Sequence, residues 1–207
     1  KLCFIITFSV HITRVREHFN KPLTVLGLLA HAAVPLLIVY LQGDQGTGVI
    51  FIMIAAIMMF AGGLSWKYIV SALILSPVMI SLDKDTIDVL KKWREAQKQI
   101  GLGHENDFIF SYAGQTAGFI GCGIIILILF AVCLRLVIDS SKCTKPGSVV
   151  CAGVFGLIFS HTFINIGMVL GFMPVIGVPL PFFSAGGTAM VTMLTGIGLV
   201  QASLKSE

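Results

Sequence analysis

The chain has 207 residues, 56% of them hydrophobic and only 12% charged, with a formal net charge of +4. Charge at about half the globular average of roughly 25% excludes an ordinary soluble domain, and so small and scattered a positive balance excludes nucleic acid as a partner. With a mean hydropathy of +0.95, the chain is better counted in membrane spans of about 20 residues than in soluble domains.

Seven apolar segments separate along the chain. Leu2–Thr13 is short and opens on Lys1 with neither a signal peptide nor an initiator methionine, so the chain reads as a fragment whose upstream spans precede it. Leu23–Leu41, Gly48–Leu64 and Trp66–Leu82 follow in quick succession. Phe108–Ile138, Ser148–Val175 and Ser184–Leu204 complete the set, the first two long enough to tilt or to carry a broken end. The expectation is an all-α, polytopic membrane domain over 1–207, with about six full spans and one partial span.

The connections give an orientation. Arg14, Arg16 and Lys21 follow the first segment, Lys67 lies between the third and fourth, and Arg135, Lys142 and Lys145 mark the turn between the fifth and sixth. Lys205 follows the last. All of these fall on one side if each segment crosses once, and the excess of Lys and Arg makes that side cytoplasmic. The outer face then receives residues 42–47, the loop 83–106 and the stretch 179–183. Within the loop, Ile87, Leu90, Trp93 and Ile100 are spaced like one face of a surface helix, which suits an interfacial helix or a lid over an outward cavity.

The cysteines Cys3, Cys122, Cys133, Cys143 and Cys151 show no paired spacing and read as small buried hydrophobes. The histidines His11, His18, His31, His104 and His161 form no metal-ligand pattern. More informative is Asn165–Thr188, NIGMVLGFMPVIGVPLPFFSAGGT, apolar enough for membrane depth yet broken by three prolines and repeated glycines. Non-helical backbone at that depth survives only against protein or a water-filled cavity, so this segment is expected to line a site.

Ionisable groups near membrane depth are the candidates for chemistry. Asp107 stands immediately before the apolar Phe108-Ile109-Phe110, where it suits either a partly desolvated base or a helix N-cap, two compatible roles. Asp44 lies in the outer turn Gln42–Thr47, where turn chemistry alone would also explain it. Lys1 could reach a phosphate from a cavity wall or snorkel to the interface. His161 and Asn165, one helical turn apart, are expected to hydrogen-bond between helices. Gln115 and Thr116 form a polar pair expected to point inward. Neither a nucleophile elbow nor a phosphate-binding glycine loop is present.

The run Asn165–Thr188 resembles the C-terminal signature of the SEDS family (shape, elongation, division and sporulation), to which RodA, FtsW and SpoVE belong. Asn106–Gly121, NDFIFSYAGQTAGFIG, resembles a second motif of that family, and Gln42–Gly48, QGDQGTG, a third. The match runs nearly the whole chain in order and corresponds to the C-terminal part of a ten-span fold. VPLPFFS and GLSWKYI (Gly63–Ile69) lean towards the RodA branch. The chain departs from the family pattern at Gln115 and Thr116, where the family has paired glutamates, and at Ala185, where it has tyrosine.

The resemblance implies a peptidoglycan glycosyltransferase of the bacterial cytoplasmic membrane that polymerises lipid II into glycan strands on the outer face. By position, Asp107 would deprotonate the acceptor sugar or help hold a divalent cation, Mg2+ or Mn2+. Lys1 and Asp44 match cavity residues, Lys1 suited to the lipid pyrophosphate, while Gln115, Asn165, Ser184, Gly186 and Gly187 fall on substrate-facing motif positions. The implied partners are lipid II, undecaprenyl-pyrophosphate-linked glycan, membrane lipids and a class B penicillin-binding protein. Two other readings stay open: a lipid II flippase, and a non-catalytic member that binds a transpeptidase.

Overall fold

The computed structural model describes residues 1–65, 68, 108–173 and 176–204. The expected span Trp66–Leu82, the loop 83–106, Asp107 and Lys205 lie outside the described residues. Six α-helices are described: α1 (Leu2–Arg14), α2 (Pro22–Leu41), α3 (Gln45–Gly62), α4 (Ile109–Ser140), α5 (Lys145–Val169) and α6 (Gly187–Ala202). A short 3-10 turn, Arg16–His18, joins α1 to α2.

Local chemistry sets the helix ends. Pro22 opens α2 from its first turn, where a missing N–H costs nothing. The Asp44 carboxylate accepts from the Thr47 N–H at 2.9 Å to start α3, and Gly63, at φ +109°, ends it in the left-handed region open to glycine. The Thr144 hydroxyl caps α5 by accepting from the Gly147 N–H at 3.3 Å.

Helix length corrects the expected span count. Only α2, α4 and α5 are long and apolar enough to cross a membrane among the described residues, so the chain does not show six full spans. The 13 residues of α1 and 16 of α6 reach about 20 and 24 Å, short of a hydrocarbon core of about 30 Å. The apolar Gly46–Gly62 of α3 is likewise in the shorter class. The shortfall at α6 has a local cause: the chain read as a span from Ser184 is still in a turn there, and helix begins only at Gly187. The architecture is nonetheless that of a multi-pass membrane protein.

The hub is α5, which packs against α1, α3, α4 and α6. Of its most apolar window 61% is buried, against 11% for α4, which faces outward along most of its length. In lipid there is little hydrophobic drive between helices, so close packing must hold them. Gly153 provides it: a Cβ there would meet Ile5 Cγ2 of α1 at 2.6 Å and Met58 Sδ of α3 at 2.9 Å. Gly156 in turn faces the Ile54 Cα of α3. As residue numbers rise along α5 they fall along α1 and α3, so both run antiparallel to it. The N-termini of α1 and α3 and the C-terminus of α5 therefore share one end, the outer one by the charge pattern.

At the other end, the α4–α5 turn is closed by the Ser140 and Ser148 hydroxyls, 2.8 Å apart. The Thr144 N–H donates to the Ser203 carbonyl at 3.4 Å, tying the turn to the end of α6. Cys143 and Cys151 are buried there as free thiols, with their sulfurs 3.3 Å apart.

Candidate functional site

Beyond Val169 the chain leaves helix, and residues 176–186 form the broken stretch that the prolines predict. Its polar backbone is taken up by side chains of α5. Asn165 Nδ2 donates to the Val178 carbonyl at 2.7 Å, and His161 Nδ1 lies 3.2 Å from the Pro179 carbonyl. A turn then closes on itself: the Leu180 N–H donates to Ser184 Oγ at 2.8 Å and the Ser184 N–H to the Leu180 carbonyl at 3.1 Å. Each buried polar group left without a partner would cost about 1–3 kcal/mol, so these four bonds make the broken segment tenable. Asn165 and His161 therefore bond to non-helical carbonyls, and His161 also meets Lys1 at the start of α1, so the expected contact between helices stands beside the wall contacts.

On its other side the segment rests on the start of α3. A Cβ at Gly46 would come within 2.5 Å of the Ile176 carbonyl oxygen, so the two backbones touch where only glycine fits. The wall 176–184 is thus clamped between the end of α5 and the start of α3. It also holds Phe182 at φ +63°, a conformation uncommon outside glycine, sustained by packing of its half-buried ring against the neighbouring apolar clusters.

The clamp gathers charge. A carbonyl only accepts, so His161 Nδ1 carries the proton and donates to Pro179, leaving Nε2 as an acceptor. Lys1 Nζ, from the cap of α1, stands 3.4 Å from that Nε2. The Lys1 ammonium is also close enough to Asp44 to act on its ionisation. Burial pushes the Asp44 carboxyl up, but the Thr47 N–H, the Thr47 hydroxyl and the Lys1 ammonium outweigh it and hold the group below 3.8. One cation and one anion, each tied to a helix start, therefore stand at the outer end, the cation bonded to the histidine that holds the wall.

The expected residues fall out as follows. Asn165 bonds the wall directly and Lys1 reaches it through His161, while Asp44 caps α3 beside Lys1. Ser184 is buried and closes its turn. Gly186 caps α6 and Gly187 opens it, exposed, with no atom near a would-be Cβ. Gln115 is exposed in the first part of α4, and the Thr116 hydroxyl beside it donates to the Tyr112 carbonyl of its own helix at 2.9 Å. Asp107 lies outside the described residues. Among the described residues no group of three or more His, Cys, Asp or Glu side chains could hold a metal ion. His161 is the residue whose part the sequence underplays. The available signal is an ionisable side chain one turn before Asn165, on the face that meets the broken run.

The model of the FtsW/RodA/SpoVE cell cycle proteins matches the chain over residues 1–100 and 93–207. The peptidoglycan glycosyltransferase MrdB of Escherichia coli K12 is 28% identical over 209 residues, covering 81% of this chain and 56% of that protein. The chain thus spans little more than half the length of that relative. The probable peptidoglycan glycosyltransferase FtsW of Enterococcus hirae is 41% identical over 96 residues, 46% of this chain and 24% of that protein. Among solved structures, a chain of a peptidoglycan synthase complex described for its coordination of polymerization and crosslinking superposes with a TM-score of 0.75 at 22% identity. That match covers 95% of this chain and 68% of the other. An alanine mutant of the rod shape determining protein RodA of Thermus thermophilus gives 0.72 at 19% identity, over 98% of this chain and 67% of that one. At these identities the two structures establish the shared fold.

Proposed function

The chain belongs to the FtsW/RodA/SpoVE family of cell cycle proteins, multi-pass proteins of the bacterial cytoplasmic membrane, and on that premise we propose that it polymerises lipid II into glycan strands at the outer face. The observation that carries this reading is the meeting of Lys1 and His161 at a non-helical wall at the outer end of the bundle, with Asp44 near enough to Lys1 to feel its charge. Glycan polymerisation there requires a cation for a leaving lipid pyrophosphate, a base for an acceptor hydroxyl, and walls that keep both sugars in place.

Lys1 supplies the cation. Its ammonium has three donors, and His161 Nε2 takes one of them, which fixes where the others point. Asp107 supplies the base, removing the proton from the acceptor sugar's 4-hydroxyl as the new glycosidic bond forms and the pyrophosphate leaves. Asp44, held ionised, offsets part of the burial that disfavours the charge on Lys1. Ser184, Gly186 and Gly187 form the turn that backs the substrate, and Gln115 stands where relatives of this family carry a carboxylate. The oxygen donor Asp107 would help hold a hard divalent cation, Mg2+ or Mn2+, that keeps most of its coordination for substrate phosphate and water. When bound, such an ion neutralises charge on the leaving pyrophosphate. The VPLPFFS form leans towards the RodA branch, and the partner in this reading is a class B penicillin-binding protein that crosslinks the strands.

Reconstitution of the full-length protein with its transpeptidase partner in lipid II vesicles tests this. Glycan strands should form, and Asp107→Ala should slow them by about a hundredfold or more, in line with the loss of a general base. Full activity in that variant would remove Asp107 from the mechanism.

A further inference from the structure

His161 is the joint between the wall and the lysine. It is only 2% exposed, so its two ring nitrogens take protein partners rather than water. Nδ1 lies 3.2 Å from the Pro179 carbonyl and Nε2 lies 3.4 Å from the Lys1 ammonium. A carbonyl offers no proton and an ammonium offers no lone pair, so only the neutral ring protonated at Nδ1 satisfies both. The other neutral tautomer would set an N–H against the ammonium and a lone pair against the carbonyl. A doubly protonated ring would bring two cations together. The two contacts therefore depend on each other: the wall's carbonyl decides which nitrogen accepts, and that nitrogen holds the lysine.

The surroundings separate this joint from a mere support. The wall has other ties: Asn165 on the Val178 carbonyl, the Leu180–Ser184 turn, and the close backbone contact at Gly46. Lys1, by contrast, has a fixed root and a mobile head. Its carbonyl accepts from the Ile5 N–H at 3.0 Å to start α1, and Ile5 is fully buried against Gly153 of α5. Leu2 packs at Gly196 of α6, where a Cβ would meet its Cδ2 at 3.5 Å. Between that root and the ammonium runs a flexible four-carbon stem with three rotatable donors. Nε2 of His161 sets the direction of the stem, while Asp44 acts on the ammonium through its charge.

We propose that His161 is a positioning residue that transmits the place of the wall to the Lys1 ammonium, through a tautomer fixed by the Pro179 carbonyl. It touches no substrate and acts only through the lysine. One N–H of the ammonium is spent on Nε2, and the remaining two are thereby held in one direction. A wall moved away from His161 would release the tautomer, and the lysine with it. The consequence for the reaction rests on the reading of Lys1 as the cation for a lipid pyrophosphate; the tautomer and the lysine contact do not.

The test uses the full-length protein, first with isotope-labelled histidine for nitrogen NMR at neutral pH. The His161 signal, identified by its loss in His161→Asn or His161→Gln, should show a protonated Nδ1 and a bare Nε2. A proton on Nε2 would overturn the relay. His161→Asn keeps a side-chain N–H near the place of Nδ1 but puts nothing where Nε2 stood. In lipid II vesicles with the transpeptidase partner it should lower kcat by about tenfold or more, as a misplaced cation does, with a smaller change in KM for lipid II. An unchanged kcat would remove His161 from its role. Added to Lys1→Gln, the same substitution should slow polymerisation by no more than about twofold further, because a residue that acts only through the lysine has nothing left to place. Effects that multiply in the double variant would make His161 a support in its own right and overturn the proposal. Should the original protein make no glycan, the polymerase reading fails while the tautomer still reports on the relay.

Discussion

The two ends of α5 use the same kinds of residue to opposite ends. At the inner end the polar contacts join helix ends: Thr144 caps its own helix, Ser148 meets Ser140 across a short turn, and the Ser203 carbonyl at the end of α6 accepts from the Thr144 N–H. Helix runs up to the turn on both sides, and the space between is filled by Cys143, Cys151 and Val154. At the outer end the polar side chains of α5 reach out of the helix to carbonyls that no helix satisfies. The inner end is closed by helix ends, whereas the outer end is walled by non-helical backbone. Broken backbone there, held by side chains of α5 beside Lys1, is the kind of wall that non-helical backbone at membrane depth builds against protein or a cavity.

That contrast can be broken at several points. The largest effect is expected from Asn165→Leu, which deprives the buried Val178 carbonyl of its donor. It should cost about 1–3 kcal/mol, seen as a lower unfolding temperature in detergent, and should also lower polymerisation because the wall loses its place. Gly46→Ala forces a methyl onto the Ile176 carbonyl and should cost a comparable 1–3 kcal/mol or so of overpacking. If Gly46→Ala were neutral, the clamp between α3 and the wall would not exist.

Asp44→Ala should cost about 1 kcal/mol through the lost cap. Its pH dependence carries a definite sign. The folded carboxyl is held below 3.8, so its contribution is fully present above the unfolded value and is lost as pH falls through the lower, folded value. The stability gap between the original protein and Asp44→Ala should therefore persist at pH 5 to 7 and close only in stronger acid. A gap that closed as pH rose would reverse the assignment. The smallest effect belongs to the inner end: Ser148→Ala removes one hydroxyl contact and should cost about 0.5–1 kcal/mol, leaving glycan synthesis untouched.

Much of this was legible in the sequence, for physical reasons. The three closely spaced prolines and repeated glycines of Asn165–Thr188 disfavour continuous helix, so a break was expected there, and the charge pattern placed it on the outer side with Asp44 and Lys1. Pattern alone misjudged the number of spans. Apolar runs show where a chain can be buried but not where helix begins, and the turn closed by Ser184 delays α6 to Gly187. Likewise Ile109–Ser140 reads as one continuous run, because the non-helical φ +63° and ψ −161° of Gly118 leave no mark on hydropathy. The partners of His161 were out of reach as well, since a carbonyl 18 residues away in a non-helical stretch has no periodicity to reveal it.

The central claim is that the outer end of α5 handles a lipid pyrophosphate and the inner end does not. The most direct measurement compares glycan formation from lipid II by Lys1→Gln and Ser148→Ala in the reconstituted complex. Lys1→Gln should fall by about a hundredfold or more in kcat while Ser148→Ala stays within about twofold. Equal rates in the two variants, or a Lys1→Gln protein as fast as the original, would contradict the account.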